Sequence, residues 1–498
     1  MQSFLTQPLH KARQQCPQAP ALTSGSLNFS YAELADRVAR LAAVLQGLGM
    51  QPGDRVGILS LNSHRYIECF YAVWWGGGAI NPVNIRWSPK EVAYSLDDCD
   101  TRILLVDDTY KAMIPALREL SKALNTIVYT GDGDVPDGAL GYEALLAQAT
   151  PVPDSFRQGD DLAAVLYTGG TTGVPKGVML SHSNLVSNAL SHLLAIPRQS
   201  GATAAIAMPI FHVAGFGHVL QLVMGLRRIV VLPCFEEVAL LVAIQQHRAT
   251  ETGLVPTMLK RVLEHPRFAE FDSSSLRTLI YGASPIDSTL LGQALATLPQ
   301  VGFYQGYGMT ECASSVAILP AYAHLEPHAS AGKLRSAGLP TVQSEVRIVD
   351  GEDRDVVLGS VGEIIVRGAM VMLGYWNQPQ ETASTLRGGW MHTGDSGYMD
   401  ADGFLYTVDR LKDMVVSGGE NVYSGEVENA IAQLPQVSMV AVIGIPDAQY
   451  GEGVHAVVVL RPGTALTEAE ITAHCRTLIA GYKCPRSGCG NAPLFLLP

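Results

Sequence analysis

The 498-residue sequence predicts an α/β protein with a large N-terminal domain, an antiparallel subdomain and a small α+β unit near its end. Three observations predict this fold class. Apolar runs alternate with amphipathic, helix-spaced stretches through the first part of the chain. The pattern changes to alternating strands between Glu345 and Arg367, and helical periodicity resumes after Arg410. Because the chain is too long for one hydrophobic core, two or three domains are expected.

The first elements alternate between strands and helices. The spacing of apolar residues predicts one helix over Tyr31–Leu48 and another over Arg65–Trp75, which three glycines follow. Strands are predicted at Arg55–Leu61, Arg102–Val106 and Thr126–Tyr129. This alternation is typical of a parallel α/β architecture.

The pattern differs in the last third of the chain. Alternation on both sides of the turn Asp350–Asp353 predicts a hairpin and an antiparallel subdomain. A separate α+β unit is predicted after a boundary at Asp409–Lys412. Its helices and strands are predicted at Ser424–Leu434, Val437–Gly444, Val454–Leu460 and Glu468–Ile479.

Composition excludes several classes of protein. Hydrophobic residues make up 47% and charged residues 16%, as in a well-packed globular enzyme. The net charge of -12 argues against a nucleic-acid partner. Eight scattered cysteines form no disulfide framework and fit a reducing cytoplasm. The polar N-terminus lacks a signal peptide, and Arg227 and Arg228 interrupt the apolar stretch Val219–Pro233. We therefore expect a soluble, cytoplasmic protein without an integral membrane segment.

The segment Tyr167–Gly177 carries the strongest chemical signal. It follows the apolar run Leu162–Leu166, which is predicted to be a buried strand. Its glycines allow sharp turns and close backbone approach, while its threonines and Lys176 are suitable donors for phosphate oxygens. Gly177 follows the lysine, where the common P-loop has Ser or Thr. We interpret the segment as a nucleotide loop, with a plain surface glycine loop as the alternative.

Two further motifs carry carboxylates. Gln305–Glu311 follows a strand-like segment, and its glycines let flat groups approach the backbone. Glu311 offers a hard oxygen ligand for Mg²⁺ beside Thr310. A helix N-cap at Thr310 is the alternative, and the two roles are compatible. In His392–Tyr398, Asp395 is able to accept two hydrogen bonds from a ribose diol. A fourth group of polar residues covers Asp409–Asp413, Ser417–Asn421 and Glu426–Glu428.

These four motif groups, in this order, resemble the adenylate-forming superfamily of acyl- and aryl-CoA synthetases, luciferases and adenylation domains, and most closely bacterial acyl-CoA ligases. The likeness extends from about residue 25 to Arg486. It implies a large N-terminal domain of packed mixed β-sheets and helices at residues 1–409, which binds AMP and the acyl group. It also implies a small, mobile C-terminal lid domain at residues 410–498.

The resemblance implies a role for each matching residue in binding ATP. Contacts to the ATP phosphates are implied for Thr168, Gly169, Gly170, Thr171, Thr172, Gly173 and Lys176. Contacts around the adenine are implied for Gly282, Ala283, Ser284, Tyr307 and Gly308. Thr310 is implied at the α-phosphate, Glu311 at Mg²⁺, and Asp395 with Arg410 at the ribose.

The implied activity is ATP-dependent conversion of a carboxylic acid to an acyl-adenylate, followed by transfer of the acyl group to coenzyme A. Lys412 matches the family's hinge between the two half-reactions. Gly418 and Gly419 match the pantetheine channel, and Tyr450 matches an aromatic residue that stacks on the CoA adenine. Simple surface packing is the alternative for Tyr450. A homodimer is a further expectation from the family.

The segment Met208–Phe216 resembles the family's acyl-pocket entrance, where His212 matches the gating residue beside the carboxylate. An ordinary packing histidine is the alternative. The segment lacks the Asp that amino-acid activators use to bind an amine, so an uncharged acyl tail is expected. Small side chains leave room for an aryl ring or a medium to long alkyl chain, at Gly215, Gly217, Ala283 and Gly306. The sequence leaves both kinds of acid open.

The last residues depart from the family pattern. The family ends in a lysine that bridges the carboxylate and the α-phosphate, but here Lys483 lies upstream of that position and the residues after Arg486 do not fit. The end of the C-terminal domain is therefore expected to be truncated or altered. Loss of one such charge predicts slower adenylation, on the order of 10²–10³-fold, with thioester formation less affected. Two alternatives stay open: an adenylation enzyme that loads a carrier protein, and a degenerate nucleotide- or acyl-CoA-binding protein.

Overall fold

The computed structural model describes residues 4–168, 175–198, 201–284, 286–410, 414–417, 420–447, 451–485 and 495–497. Through the first 200 residues the elements are α1 (Gln7–Gln15), β1 (Pro20–Ser24), β2 (Leu27–Ser30), α2 (Tyr31–Gly47), β3 (Arg55–Leu59), α3 (His64–Gly76), β4 (Ala79–Pro82), α4 (Pro89–Asp98), β5 (Ile103–Val106), α5 (Ile114–Leu120), β6 (Thr126–Tyr129), β7 (Leu140–Gly141), α6 (Tyr142–Gln148), β8 (Leu162–Thr168), β9 (Lys176–Ser181) and α7 (His182–Ala195).

The middle of the chain continues with β10 (Thr203–Ile206), α8 (Val213–Met224), β11 (Arg228–Val231), α9 (Glu237–His247), β12 (Glu251–Leu254), α10 (Pro256–Leu263), β13 (Thr278–Gly282), α11 (Ser288–Thr297), β14 (Gly302–Met309), β15 (Ser314–Leu319) and β16 (Leu339–Pro340). An antiparallel region follows with β17 (Glu345–Val349), β18 (Gly362–Arg367), β19 (Gly374–Tyr375), α12 (Pro379–Thr385), β20 (Met391–Met399) and β21 (Leu405–Arg410). The last elements are β22 (Val415–Ser417), β23 (Glu420–Val422), α13 (Ser424–Ile431), β24 (Val437–Asp447), β25 (Gly451–Leu460), α14 (Glu468–Leu478) and β26 (Phe495–Leu497).

Two large sheets form the N-terminal region. One has the strand order β16-β15-β14-β13-β12-β10-β11-β1-β2, and the other β19-β9-β8-β4-β3-β5-β6-β7. Both have parallel centres, but antiparallel strands are added at β14–β15, β15–β16, β1–β2, β8–β9 and β9–β19. The parallel architecture expected from the first elements therefore holds only for the sheet centres. The mixed α/β fold class, with a large N-terminal and a smaller C-terminal domain, is confirmed.

The predicted elements of the first part are present. Helix α2 begins where Ser30 and Glu33 form a reciprocal capping box, and α3 ends at Gly77 in a left-handed conformation with φ of 98°. Strands β3, β5 and β6 lie within the predicted ranges. Helix α3 is buried, and its Phe70 packs edge-on against Phe216 of α8 with ring centroids 4.7 Å apart. This contact anchors the helix that carries the acyl-site side chains.

The predicted antiparallel subdomain is a four-stranded sheet in the order β17-β18-β20-β21. The turn at Asp350 is also present, since the Asp350 carboxylate accepts hydrogen bonds from the backbone N–H groups of Glu352 and Arg354 at 3.0 Å. Strands β17 and β18 pair antiparallel, and the residues directly on each side of the turn also bond to each other, since the N–H of Val356 donates to the carbonyl oxygen of Ile348 at 3.0 Å. The predicted hairpin is therefore present, although β18 itself begins only at Gly362.

The C-terminal elements form a separate sheet, β23-β22-β25-β24, with β26 pairing in parallel with β25. They have their own hydrophobic core, which includes Val427, Val458 and Ile471. Two residues of the predicted boundary segment, Leu411 and Lys412, lie outside the described residues, so the division at residues 409–412 stays a prediction.

No helix among the described residues has the length and apolar content needed to cross a membrane. The apolar segment noted in the sequence is divided between α8 and β11. Seven of the eight cysteines fall in the described ranges, and all seven are free thiols. The predicted lack of a disulfide framework therefore holds for this part of the chain.

Candidate active site

Sheet pairing brings the sequence motifs together in space. Neighbouring strands place Gly282 beside Gly306, Thr168 opposite Lys176, and Asp395 opposite Arg410. Residues 305–309 of the second motif lie inside β14, with Thr310 and Glu311 in the 3₁₀ turn that follows, and the third motif lies inside β20. Pairing with β15 and with β18 and β21 extends these strands through the motifs.

A hydrogen bond joins the second and third motifs. The Tyr307 hydroxyl donates to the Asp395 carboxylate at 2.7 Å. Burial, followed by the nearby Asp395 charge, raises the pKa of Tyr307 well above its usual value, so the phenol remains a neutral donor. The pair places a hydroxyl and a carboxylate next to each other, a combination suited to hydrogen-bonding a nucleoside.

A second tyrosine joins the second motif to the phosphate segment. The Tyr375 hydroxyl donates to Glu311 Oε1 at 2.9 Å. The Lys176 ammonium lies 5.2 Å from the centre of the same ring and pairs with Glu381. Tyr375 therefore contacts both the acidic Glu311 and the basic Lys176.

The sequence reasoning missed Tyr375 and Glu381. The available signal was the run Gly374-Tyr375-Trp376, in which two aromatic residues follow a glycine. The structure explains the glycine, because a Cβ at Gly374 would lie 2.6 Å from the Thr382 side chain. Strand β19 then pairs with β9 and sets Tyr375 opposite Val178, beside the phosphate segment.

The backbone at the end of β13 is unusual. Gly282 has φ of 158° and Ala283 has φ of 67°, a conformation that costs on the order of 1 kcal/mol for a residue with a side chain. Ala283 and Ser284 are exposed as a result. The end of β13 therefore exposes its backbone and two small side chains at the position where the resemblance implies an adenine-binding site.

The glycines of this region have two different roles. A Cβ at Gly308 would lie 1.8 Å from the Ser314 carbonyl oxygen, and one at Gly282 would lie 2.3 Å from the Gly306 carbonyl oxygen. These two glycines permit close strand pairing. At Gly306 the nearest atom is Ser315 Oγ at 3.2 Å, so this position leaves more space.

Glu311 is the implied Mg²⁺ ligand. Its Oε1 accepts from Tyr375, and the half-buried side chain sits beside Thr310, which starts the 3₁₀ turn Thr310–Cys312. Thr310 does not cap a helix through its side chain, so that alternative reading is wrong. Within the described ranges no group of three His, Cys, Asp or Glu side chains could hold a metal. A nucleotide-bound Mg²⁺ needs only one or two protein carboxylates, and the donor set fits it.

A cleft that is partly open to solvent continues from these strand ends. Gly282, Ala283, Gly306 and Gly308 form one side of it. Its apolar wall includes Met208, Val213, Leu254, Ile280 and Tyr281. Polar residues also line it, and the sequence reasoning missed all of them: His192, His218, Gln221, Ser314 and Ser315. The cleft therefore lies next to the candidate nucleotide site, with a mainly apolar lining that suits an acyl group.

Two of the four small positions expected to make room for the acid do not line this cleft. A Cβ at Gly215 would lie 2.2 Å from the Pro209 carbonyl oxygen, and one at Gly217 would lie 3.2 Å from the Ser314 side chain. Gly215 lets α8 pack closely against the Pro209 backbone, and Gly217 lets it pack against the Ser314 side chain. Ala283 and Gly306 do line the cleft, as expected.

His212 lies at the N-terminal end of α8, between the cleft residues Met208 and Val213. Its side chain is exposed, and its ring contacts the Phe211 ring at a centroid distance of 4.1 Å. Partial desolvation, followed by the Arg86 charge, lowers the pKa of His212. The lowered pKa favours the neutral imidazole, and the residue directly precedes the cleft residue Val213.

Several predicted residues cannot be placed. Gly169–Gly173, Lys412, Gly418, Gly419 and Tyr450 lie outside the described residues, and Arg410 is described by its backbone pairing alone. Lys483 is described and pairs with Glu426 at 2.6 Å.

Comparisons with known proteins agree with this geometry. Residues 9–376 match the model of the AMP-binding enzyme family, and residues 426–489 match that of the AMP-binding enzyme C-terminal domain. A feruloyl-CoA synthase from Amycolatopsis sp is 38% identical over 96% of this chain and 93% of its own length. The medium/long-chain-fatty-acid–CoA ligase FadD8 of Mycobacterium tuberculosis is 35% identical over 95% of this chain and 83% of its own.

The fold is also similar to that of o-succinylbenzoate CoA synthetase from Bacillus subtilis, solved with its acyl-adenylate intermediate. The TM-score is 0.86 at 28% identity, covering 100% of this chain and 95% of the other.

Proposed function

Because this chain belongs to the AMP-binding enzyme family, we propose that it is an AMP-forming acid–thiol ligase. It activates a fatty or aromatic carboxylic acid with ATP and then transfers the acyl group to coenzyme A. The observation that carries this proposal is the contact between three motifs: Tyr307 donates to Asp395, and Tyr375 both donates to Glu311 and contacts Lys176 through its ring, while the neighbouring Gly306 and Gly308 line a cleft.

In the first half-reaction an oxygen of the substrate carboxylate attacks the α-phosphorus of ATP. A P–O bond forms, the bond to the β-phosphate bridging oxygen breaks, and pyrophosphate leaves. Such transfers depend mainly on alignment and charge neutralisation. Lys176 supplies positive charge, Thr310 contacts the α-phosphate, and Asp395 with Arg410 orients the ribose. Mg²⁺ held by Glu311 would neutralise phosphate charge.

In the second half-reaction the thiol sulfur of coenzyme A attacks the acyl carbonyl carbon. The thiol proton is lost, a C–S bond forms, and AMP leaves with the former anhydride oxygen. We assign Gly418 and Gly419 to the pantetheine channel and Tyr450 to the CoA adenine. We assign His212, at the N-terminal end of α8, to the carboxylate end of the acid, and its lowered pKa supports a neutral imidazole there.

The two half-reactions need different surroundings for the same carbonyl group. We therefore assign residues 1–409 to binding of AMP and the acid, and residues 410–498 to a lid that rotates about Lys412. The separate sheet and separate core of the C-terminal unit support this assignment. A homodimer and a cytoplasmic location stay predictions.

A panel of carboxylic acids tests the function through release of AMP, with and without coenzyme A. The proposed ligase consumes coenzyme A in step with AMP. An enzyme that loads a carrier protein instead catalyses ATP–pyrophosphate exchange without consuming coenzyme A. A degenerate binding protein shows neither reaction with any acid. A Glu311→Gln variant serves as the control for contaminating activity.

A further inference from the structure

The two ends of the phosphate segment lie side by side on neighbouring strands. Strands β8 and β9 pair antiparallel, with Thr168 opposite Lys176 and, one position further back on each strand, Tyr167 opposite Gly177. The ammonium of Lys176 is carried on a flexible stem, so its position depends on how firmly these strand ends are fixed. Contacts that bind the Tyr167–Gly177 pair therefore also locate Lys176.

Asp98, the last residue of α4, binds the first of these strands through its side chain. Its Oδ2 accepts a hydrogen bond from the Tyr167 hydroxyl at 2.7 Å. Burial, followed by the nearby Cys99, raises the pKa of Tyr167 far above its usual value, so the phenol remains a neutral donor. Trp87 and Tyr94 pack edge-on against the Tyr167 ring, with centroids 6.3 and 6.4 Å away. The ring is thus held by packing as well as by the carboxylate.

The main chain of Asp98 binds the second strand through Trp376. The Asp98 carbonyl oxygen accepts hydrogen bonds from Trp376 Nε1 at 2.7 Å and from Asn377 Nδ2 at 3.0 Å. Carbonyl groups in the last turn of a helix lack helical partners, so this one is free to accept them. The Trp376 N–H in turn donates to the Gly177 carbonyl oxygen at 2.7 Å. One residue therefore holds both strands, the first through its carboxylate and the second through its carbonyl group.

Gly177 makes this arrangement possible. A Cβ at this position would lie 3.0 Å from Cζ of Tyr167 and 3.2 Å from Cβ of Trp376, so both aromatic side chains pack closely over the glycine. The Arg55 guanidinium lies 4.9 Å from the centre of the Trp376 ring and adds a cation–π contact. The glycine that follows the lysine, where the common P-loop has Ser or Thr, therefore serves the packing of the two side chains that Asp98 binds.

We propose that Asp98 is a positioning residue for ATP, which acts through Tyr167 and Trp376 to hold Lys176 beside the phosphates that leave as pyrophosphate. This inference rests on the proposed function. The α-phosphate is assigned to Thr310, so AMP keeps its phosphate contact without Lys176, whereas ATP needs both residues. Loss of the Asp98 contacts therefore weakens the binding of ATP and leaves the binding of AMP unchanged.

Calorimetric titration of the full-length protein with α,β-methylene-ATP and with AMP, both in the presence of Mg²⁺, tests this without turnover. Tyr167→Phe removes the hydroxyl and keeps the ring, and it should weaken binding of the ATP analogue roughly tenfold while changing AMP binding by less than about twofold. Trp376→Phe, which removes the Nε1 donor, should act in the same direction. An equal or greater loss for AMP, or no loss for either nucleotide, overturns the inference and leaves the proposed function standing. If the unmodified protein binds neither nucleotide, both are overturned.

The same sheet offers a matched control. Tyr129 on β6 also donates to an aspartate, Asp108, but β4, β3 and β5 separate β6 from β8. Tyr129→Phe should leave both nucleotide affinities unchanged, and the same selective loss in this variant would overturn the inference.

Substitutions of Asp98 itself identify the group responsible. Asp98→Ala should reproduce the selective loss seen in Tyr167→Phe. Asp98→Asn keeps a side-chain acceptor for the Tyr167 hydroxyl and should restore most of the affinity for the ATP analogue. An Asp98→Ala variant that binds the ATP analogue as tightly as the unmodified protein, or an Asp98→Asn variant no better than Asp98→Ala, overturns the assignment of the carboxylate.

Discussion

The two ends of the cleft are constructed differently. At the nucleotide end, tyrosine hydroxyls donate to carboxylates, and Asp395 and Glu311 remain partly exposed. At the acyl end, the Arg198 and Glu251 side chains are 2% and 1% exposed and form a buried ion pair. The first arrangement suits a charged, hydrated ligand that arrives and leaves in each cycle. The second is a fixed, desolvated ion pair behind the cleft, so its main contribution is to stability.

The largest effect expected from this difference is on stability. Glu251→Ala leaves the Arg198 charge buried without its partner, which should lower the free energy of unfolding by about 3–5 kcal/mol. The matched control is Glu345→Ala, which removes the strand partner of Arg367 where both side chains are more than half exposed. That change should cost about 0–1 kcal/mol. Urea unfolding of both variants measures the difference, and equal losses would contradict the contrast between the two pairs.

Activity should respond most strongly at the nucleotide end. Glu311→Gln removes the charge placed for Mg²⁺ and should lower the rate of AMP release by roughly 10²–10³-fold. Its stability should change little, because the side chain is only half-buried. Tyr375→Phe keeps the carboxylate and removes only its hydrogen bond, so a loss of about tenfold is expected. Similar rates for Glu311→Gln and the unmutated protein would show that this carboxylate does not act on the phosphates.

Acidification should lower the free energy of unfolding through His192, at the acyl end of the cleft. The pKa of His192 is lowered to about 3 in the folded chain. Below about pH 6.5 the unfolded chain therefore binds a proton at this residue, whereas the folded chain leaves it unprotonated. This contribution to stability is present above pH 6.5 and is lost as the pH falls towards 3. Between pH 7 and pH 5 it should remove about 2 kcal/mol. The fall in unfolding free energy over that interval should therefore be smaller by this amount in His192→Leu, and an identical fall in both proteins would contradict it.

The same contrast explains what the sequence predicts. The nucleotide-end residues occur in short motifs of glycine, hydroxyl and charged residues, and these identify both the chemistry and the family. Helix α2 and strand β6 were predicted from the periodicity of residues that face one core. These features depend on the order of neighbouring residues along the chain, so they can be detected in a single sequence.

The acyl end was not predictable in this way. His192, Arg198, His218 and Glu251 come from two helices, a connecting segment and a strand, and no short spacing joins them. Each alone is most simply read as an ordinary packing residue. Only the tertiary fold, in which α8 packs against α3 and faces β12, brings their polar atoms together. Gly215 shows the opposite error. The sequence analysis interpreted this glycine as leaving room for the acid, but in the structure it allows close packing of a helix.

The smallest effect on the adenylation rate is expected from substitution of Lys483, the last lysine of the chain. Its ammonium pairs with Glu426 at 2.6 Å, and both residues belong to the C-terminal unit, on the turn Gly481–Lys483 and on α13. Rotation of that unit as a rigid body would carry the pair along intact. Lys483 should therefore not replace the lysine that the family uses for adenylation.

Lys483→Gln tests this by ATP–pyrophosphate exchange, which reports adenylation alone. We expect a change below about threefold, since a partly exposed pair contributes only about 0–1 kcal/mol. Glu426→Gln is the matched variant, because it releases the ammonium without removing it, and it should leave the exchange rate equally unchanged. A loss approaching 10²-fold in Lys483→Gln alone would mean that the lysine leaves Glu426 and reaches the reacting phosphate. Adenylation would then depend on both units of the molecule, and not on the N-terminal residues alone.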